Sequence, residues 1–370
     1  MSKDLRRIYR TAVSSESLPR TISLQIGEAT LTFHKLLLKE GEKNLALRYG
    51  TNPHQAAAAY RLDGPGKSFL GDMSLLKSGK QGLSATNVED GYRALRIVSY
   101  FTEKAVAVMK HLNPSGVGIA TRGDEALGDI FEKAWNGDSR ASYGCVAGLN
   151  AAIDKSLAES IVRDKKYVEC LFAPGCSEES LEMLDERRDL RIILVPEAKQ
   201  LLDNLLPYEI KVLGDLILLE QPFYTKLRSM ADFLDLNEDE KTGVVTKRSP
   251  TQSEAEDLLK AWWVCCEKRS NGVVIWKHDR VLAVGTGQQD RIGAIEIALA
   301  RAGRCDHDLK GSVLASDGYM LWDNIDPLAE AGITAVIQPG GSVSDKELIE
   351  KCDEYGIAMA FTGERAFRHF

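Results

Sequence analysis

Hydrophobic and polar residues in the second half of the chain alternate in a way that predicts strands and helices. The apolar runs Gly272–Lys277 and Val281–Gly285 flank His278-Asp279, which predicts two strands joined by a tight turn. Apolar residues then recur at helical spacing from Ile292 to Ala302, so we expect an amphipathic helix that ends near Gly303.

Three more apolar runs predict strands further along, at residues 313–315, 333–337 and 357–361. Between the last two, Ser344 and Glu347 have the spacing of a capping box, and Gly356 is placed to end the helix that follows. This order of strand, helix and strand predicts an α/β fold in which part of the sheet is parallel.

The first half has less regular patterning, and it suggests how the chain is divided. Ala105–Met109 is a short continuous apolar run and predicts a buried strand, whereas residues 1–40 are polar and predict an N-terminal arm. An acidic stretch at Asp235–Thr242 predicts a boundary close to residue 230. We therefore expect an arm at 1–40, a first subdomain with a helical connection at 41–230, and a second subdomain at 231–370.

Composition excludes several classes of protein. The 47 basic and 54 acidic residues give a net charge of -7, which is not the basic field of a nucleic-acid-binding protein. No stretch of 18 apolar residues could span a bilayer, and the first ten residues lead into no signal-peptide core. The seven cysteines include no CxxC pair. We expect a cytoplasmic protein without nucleic-acid or membrane partners.

Lys110 and His111 directly follow the predicted strand in the first half, and ligand crevices form at the carboxyl ends of such strands. A histidine beside a lysine there could pair a base with a cation that stabilises developing negative charge. A strand that merely ends in polar residues explains the same pair. Arg48 and Tyr49 lie in a turn-prone segment, where the arginine could bind phosphate or simply face solvent.

Three segments of the second half carry weaker signals. Gly285–Arg291 lies between a strand and a helix but lacks the third glycine of a dinucleotide-binding loop, so a tight turn is favoured. Tyr319–Trp322, followed by Asp323, could line a pocket for a flat heterocycle, although composition favours a core segment. Arg365–His369 could close over a phosphorylated ligand or be a solvated chain end.

Taken in order, these segments resemble one known family. From about Leu45 to His369 the chain is similar to the transformylase portion of the bifunctional purine enzyme that also carries IMP cyclohydrolase activity. The matching stretches are LRYGTNPHQ, KHLNPSGVGIA, SYGCVAGLN, VVTKRSPT, SNGVVIWK, VGTGQQDRIG, AGITAVIQPGGSVSDKELIE and TGERAFRHF. The resemblance implies formyl transfer from 10-formyltetrahydrofolate to 5-aminoimidazole-4-carboxamide ribotide (AICAR).

The resemblance also implies a role for individual positions. Catalytic positions of the family match Lys110, His111 and Asn271. Ribotide-binding positions match Arg48, Tyr49, Asn87, Gly144, Tyr319, Arg365 and His369. Folate-binding positions match Arg291, Ile292 and Asp323. The segment from Tyr319 to Asp323 is one residue shorter than is usual in the family, which bears on the shape of the folate pocket.

The implied fold is a pair of duplicated, cytidine-deaminase-like three-layer units, with mixed sheets flanked by helices. The family assembles as a homodimer whose sites use both subunits, and the cyclohydrolase portion has no match here, so a separate cyclohydrolase is a possible partner. The HxE and PCxxC motifs of zinc deaminases are absent from the sequence, so no metal is expected. Three alternatives stay open: a ribotide sensor without catalysis, a zinc deaminase on the related fold, and a formyl donor made from formate and ATP.

Overall fold

The computed structural model describes residues 12–63, 70–79, 81–198, 201–202, 206, 208–236 and 242–369. The chain folds into two compact units, each drawn from several segments. Unit 1 is drawn from Met1–Leu112, Ala120–Glu132 and Ala141–Asn204. Unit 2 is drawn from Asn113–Ile119, Lys133–Arg140 and Leu205–Phe370.

The strands of the described residues are numbered in chain order. They are β1 Thr21–Ile26, β2 Ala29–Lys35, β3 Leu38–Glu40, β4 Lys43–Leu45, β5 Tyr60–Leu62, β6 Ser74–Lys77, β7 Ala105–Lys110, β8 Asn113–Ile119, β9 Cys145–Leu149, β10 Val168–Ala173, β11 Arg191–Leu194, β12 Glu209–Leu213, β13 Leu216–Glu220, β14 Gly243–Val244, β15 Val273–Lys277, β16 Arg280–Gly285, β17 Val313–Ser316, β18 Ala335–Gln338 and β19 Ala358–Phe361.

The α-helices are numbered in the same way. They are α1 Ala85–Val98, α2 Leu127–Trp135, α3 Ser139–Ser142, α4 Lys155–Arg163, α5 Glu178–Leu184, α6 Met230–Asp235, α7 Gln252–Cys265, α8 Arg291–Arg304, α9 Ile325–Ala331 and α10 Asp345–Tyr355. A 3₁₀ turn, Trp322–Asn324, precedes α9. In the part of the chain that is described, no helix is long and apolar enough to cross a membrane.

Unit 1 is built on a mixed sheet whose strand order is β7-β9-β10-β11-β6. The central pairs β9–β10 and β10–β11 are parallel, and β7 and β6 run antiparallel at the two ends. Helix α1 packs against β7, β9 and β10. The strands are buried along almost their whole length, which matches their continuous apolar sequences. Residues 1–40, predicted as an arm, include strands β1, β2 and β3 in their described part.

The strands of unit 2 follow the order β14-β19-β18-β17-β15-β16-β8 and are also mixed in direction. Strands β17, β18 and β19 are parallel to one another, whereas β15 and β16 form an antiparallel hairpin. Helices α7 and α8 pack against the sheet. Helix α8, together with α9 and α10, contributes to a core made mainly of Ile, Val, Leu and Ala side chains. The fold is therefore mixed α/β with sheets flanked by helices, as the sequence predicts.

Most local predictions for the second half are confirmed. The tight turn lies at His278, whose φ of +57° lets β15 return as β16, and the amphipathic helix is α8. The predicted capping box is wrong, because the Ser344 side chain makes no capping hydrogen bond to α10. Asp345 Oδ2 instead accepts from the backbone N–H groups of Gly341 and Ser342, at 2.7 and 3.1 Å. The boundary at residue 230 and the subdomain limits stay predictions, and part of the acidic stretch lies outside the described residues.

Strands β12 and β13 form a hairpin of unusual exposure. Apolar side chains are exposed along β13 and at the end of β12, including Ile217 at 60% and Val212 at 68% exposed. The sequence from Leu201 to Lys226 does not predict a clear element. Its strands carry apolar residues on both faces, so apolar and polar positions do not alternate as in a half-buried strand. This hairpin is separate from the unit 2 sheet.

Candidate active site

Strand β7 ends at Lys110, and its side chain turns toward Gly144. The Nζ of Lys110 donates a hydrogen bond to the Gly144 carbonyl, and the Gly144 N–H donates to the Tyr167 carbonyl at 2.7 Å. Gly144 has a φ of +72°, and a Cβ at this position would lie 3.0 Å from the Lys110 ammonium. Glycine is therefore required here both by the backbone conformation and by the close approach of the lysine.

His111 and Leu112 form a turn with left-handed backbone at both positions, with φ of +54° and +63°. Asp90 of α1, only 7% exposed, anchors this turn. Its Oδ1 accepts from the Leu112 N–H at 2.6 Å, and the His111 N–H also donates to the carboxylate. Burial raises the pKa of Asp90, and these hydrogen bonds with the nearby Lys110 and His111 only partly offset that effect. The exposed His111 side chain is thus displayed on a turn that a buried carboxylate holds.

Arg48, Tyr49 and Asn87 come together at the start of α1. The Arg48 N–H donates to the Leu83 carbonyl at 2.7 Å, and the Ala85 N–H donates to the Tyr49 carbonyl at 3.0 Å. Arg48 is only 4% exposed, its Nη2 donates to the Tyr49 hydroxyl at 2.9 Å, and its Cζ lies 4.4 Å from the Tyr49 ring centroid. The arrangement places a buried cation beside an aromatic ring.

Two polar residues of this group, Arg48 and Asn87, are held in place by their neighbours. Burial, together with the charge of Arg191, lowers the pKa of Arg48. Asn87 accepts from the Ser84 N–H at 3.1 Å and caps α1, while its Nδ2 donates to Glu169 Oε2 at 3.2 Å. Arg48 and Asn87 are therefore fixed before any ligand binds, which favours recognition of an anion with a defined geometry.

In unit 2, Asn271 is oriented by α8. Its Oδ1 accepts from Arg291 Nη2 at 3.0 Å, and its Nδ2 donates to the Gln289 carbonyl at 3.1 Å. Arg291 is the first residue of α8, and its Nη1 lies 2.7 Å from Asp317 Oδ1 and donates to the Gly272 carbonyl at 2.8 Å. The Gly285–Arg291 segment links β16 to α8 and ends at the helix cap Asp290.

The C-terminal residues pack against this part of unit 2. Phe367 lies beside Gly318, where a Cβ would come within 2.5 Å of the Phe367 ring and 2.6 Å of Arg291 Nη2. The Arg365 guanidinium carbon lies 4.7 Å from the Phe367 ring centroid, and the His369 ring contacts the same ring edge-on at 5.9 Å. The structure therefore brings Arg365 and His369 against one aromatic residue, near Arg291. Phe370 lies outside the described residues.

The Tyr319–Asp323 segment is a surface segment, so the core interpretation favoured by its composition is wrong for most of it. Tyr319 and Trp322 are 51% and 50% exposed, and only Met320 is buried in the core. Asp323 is exposed and its Oδ1 accepts from the Asn324 amide at 3.1 Å. Ile292 is half-buried at the start of α8. Exposed aromatic and carboxylate groups fit a ligand-facing role better than a core role.

Three residues that hold these arrangements carry no sequence signal of function: Asp90, Asp317, and Lys268, whose Nζ donates to Asp317 Oδ2. Each acts through a contact with a segment distant in the chain, so no local pattern could have singled them out. The residues from 12 to 369 that the structure describes contain no group of three or more His, Cys, Asp and Glu side chains placed to hold a metal ion.

Comparison with known proteins shows which family the chain belongs to. The family described as AICARFT/IMPCHase bienzyme matches residues 14–301. The chain belongs to this family. Among its relatives is the bifunctional purine biosynthesis protein PurH of Anoxybacillus flavithermus, 35% identical over 366 residues, which covers 98% of this chain and 63% of that protein. PurH of Bacillus subtilis is 37% identical over 337 residues, covering 89% of this chain and 60% of that protein.

Within the AICARFT/IMPCHase bienzyme family, this chain covers less than two thirds of the length of these relatives. PurH of Bacillus cytotoxicus is 37% identical over 365 residues, which covers 98% of this chain and 66% of that protein. The family match covers Lys110, His111 and Asn271, whereas Arg365 and His369 lie beyond its last residue.

Proposed function

We propose that this chain transfers a formyl group from 10-formyltetrahydrofolate to the 5-amino group of AICAR, in purine biosynthesis. The observation that carries the proposal is the pairing of Lys110, held on the Gly144 carbonyl, with His111 on its anchored turn. A histidine that can accept a proton thus directly follows a lysine that can stabilise an oxyanion, at the end of a buried strand. The transformylase motifs that contain them support this activity rather than cyclohydrolase chemistry.

The proposed reaction needs a base, because the amine of AICAR is conjugated with its ring and is a poor nucleophile. In our scheme the amine nitrogen attacks the formyl carbon while His111 removes its proton. The resulting tetrahedral oxyanion is stabilised by the Lys110 ammonium and, as the family resemblance implies, by the Asn271 amide. Collapse of this intermediate breaks the bond to N10 of the folate, which takes up a proton and leaves as tetrahydrofolate.

The remaining candidate residues are assigned to binding. Arg48 and Tyr49, with Asn87 and Gly144, bind the ribotide in unit 1, and the buried guanidinium of Arg48 supports a role in holding an anion. Arg365 and His369, with Tyr319, are assigned to the same substrate. The folate positions are Arg291, Ile292 and Asp323.

The proposal is tested by incubating the purified chain with 10-formyltetrahydrofolate and following the folate absorbance with and without AICAR. We expect tetrahydrofolate to appear only when AICAR is present, together with formyl-AICAR in product analysis. Tight AICAR binding without any transfer would favour a ribotide sensor instead. Transfer that requires formate and ATP and ignores the folate would replace the proposed donor.

We further propose that this polypeptide does not close formyl-AICAR to IMP and works with a separate cyclohydrolase. IMP formed by this protein alone would contradict that statement. Because amide formation at this weak amine is expected to be unfavourable, adding a cyclohydrolase should pull the reaction forward.

We also propose a homodimer whose sites draw on both subunits, as the family resemblance implies. Mixing inactive His111→Ala and Arg365→Ala subunits should restore activity if the two residues serve one site from opposite chains. A monomer in light scattering, or verified heterodimers that regain no activity, would exclude this arrangement.

A further inference from the structure

A buried cluster of charges lies beneath Asn271. Lys268 and Asp317 are both 0% exposed, and Arg291 is 9% exposed. The Lys268 Nζ lies 2.5 Å from Asp317 Oδ2, and the Arg291 Nη1 lies 2.7 Å from Asp317 Oδ1. Ser270 Oγ donates to Oδ2 at 2.6 Å, and the Gly272 N–H donates to Oδ1 at 3.2 Å. Both oxygens of Asp317 therefore have two donors each.

The electrostatics keep this carboxylate ionised. Burial alone would raise the pKa of Asp317, but the charges of Lys268 and Arg291 outweigh burial and hold its pKa below the usual range. An ionised Asp317 is the acceptor that Arg291 requires, since a guanidinium offers donors only. The two cations and one carboxylate are thus mutually dependent.

The cluster also fixes the orientation of the Asn271 side chain. Arg291 uses Nη1 for Asp317 and Nη2 for the Asn271 Oδ1, so the plane of the guanidinium fixes the oxygen end of the amide. The nitrogen end is thereby turned toward the Gln289 carbonyl, at 3.1 Å. An amide has two N–H donors, and the second has no partner among the residues that the structure describes.

Such a cluster is a poor device for stability alone. Apolar side chains of similar volume often stabilise a fold as well as a buried ion pair does, because desolvating the charges offsets their attraction. The Lys268 side chain is also tightly confined, since a Cβ on Gly272 would lie 2.4 Å from its Nζ. A confined ammonium fixes the position of Asp317 more sharply than a flexible apolar side chain would.

We propose that Lys268 is a positioning residue for formyl transfer, which acts through Asp317 and Arg291 to aim the free N–H of Asn271 at the oxyanion. This inference rests on the proposed function. Lys268 touches no substrate in this scheme, and its effect on catalysis passes entirely through the orientation of Asn271.

The test compares Lys268→Met with Lys277→Met in the formyl-transfer assay. Lys277 is a matched control because it is a partly buried, ion-paired lysine of the same unit, whose Nζ lies 3.1 Å from Asp308. Losing an oxyanion donor typically lowers kcat by roughly 10²–10³-fold. Misorienting it should lower kcat by about 10- to 100-fold, with the KM for AICAR nearly unchanged. Lys277→Met should match the wild type.

A double-mutant cycle separates positioning from general damage. If Lys268 acts through Asn271, the variant Lys268→Met/Asn271→Ala should be no slower than Asn271→Ala alone. Additive losses would overturn the inference, as would a folded Lys268→Met protein with a normal kcat. Should Lys268→Met fail to fold, Ser270→Ala removes one donor to Asp317 without stranding a charge, and a several-fold loss of kcat is expected; an unchanged kcat would again overturn it.

A readout that does not depend on activity distinguishes this inference from the proposed function. With ¹⁵N-labelled asparagine, the side-chain amide signals of Asn271 can be assigned by their loss in Asn271→Ala. They should shift in Lys268→Met and not in Lys277→Met. A wild-type chain that transfers no formyl group would refute the proposed function, whereas unmoved Asn271 signals would refute the positioning role.

Discussion

Replacing Asp90 tests how His111 is presented. Two residues of the turn, His111 and Leu112, have left-handed backbone, which costs about 1–2 kcal/mol per residue and hence about 2–4 kcal/mol in total. Hydrogen bonds to a charged group contribute about 1.5–3 kcal/mol each, so the two bonds to Asp90 supply about 3–6 kcal/mol. The stabilisation by the anchor is therefore comparable to the cost of the strain or larger.

In Asp90→Ala the hydrogen bonds that offset the left-handed backbone of His111 and Leu112 are lost, and the turn should relax to ordinary backbone angles. A conformer disfavoured by about 2–4 kcal/mol is populated about 30- to 1000-fold less, and this sets the largest expected loss in the rate of formyl transfer. Asp90→Asn keeps a neutral acceptor worth about 0.5–1.5 kcal/mol per bond, so its loss should be smaller, about fivefold.

The assay is a single-turnover measurement at saturating AICAR, with AICAR affinity measured separately by calorimetry. Glu89→Ala is the matched control, because Glu89 precedes Asp90 on α1 but is exposed. The affinity for AICAR should be unchanged in all three variants, because none of them alters Arg48, the residue proposed to bind the ribotide. If folded Asp90→Ala transfers formyl within threefold of the wild type, the turn does not depend on its anchor and the reasoning fails.

The remaining predictions concern single side chains. His111→Ala should slow single-turnover transfer by roughly 10²–10⁴-fold with AICAR affinity retained, whereas Arg48→Ala should weaken AICAR binding first, as calorimetry would show. Gly144→Ala should lower both the melting temperature and the transfer rate, because its Cβ would lie 3.0 Å from the lysine ammonium at a φ of +72°. In the native protein, thiol titration should detect Cys176 and Cys305, which are partly exposed, before the other five cysteines, which are buried.

Each of these has an outcome that would count against it. A hundredfold loss of affinity in His111→Ala with a normal rate at saturation would make the histidine a ligand clamp, and His369 would be the next candidate base. Unchanged AICAR affinity in Arg48→Ala would remove its binding role. A melting temperature and a transfer rate equal to those of the wild type in Gly144→Ala would show that the close contact between Lys110 and residue 144 is not required. Reaction of all seven cysteines at one rate would contradict their burial.

The sequence predicts those parts of the fold that local patterning determines. The turn at His278 and helix α8 follow from neighbouring residues, and the structure has both. The capping box at Ser344 fails because capping depends on backbone geometry that spacing does not reveal. The neighbouring Asp345 takes the loop N–H groups.

The site shows the same division between local and distant information. Motifs identify His111 and Asn271, but the groups that orient them come from elsewhere in the chain. Asp90 lies 22 residues from Leu112, and Lys268 lies 49 residues from Asp317. On a single sequence a buried carboxylate looks like any surface aspartate, since only the fold reveals which donors meet it.

Strand β8 has a consequence for how the protein can be synthesised and divided. Although β8 is encoded early, its partner within unit 2 is β16, with Arg280 opposite Gly118 and the Ile119 N–H donating to the Asp279 carbonyl at 2.8 Å. During translation, the pairing of β8 with β16 must therefore wait until β16 has left the ribosome. A fragment that starts at residue 205 would leave the β16 edge unpaired, and such edges recruit other chains. Fragments for expression should therefore retain β8, and a gene split between the halves should yield aggregation-prone products.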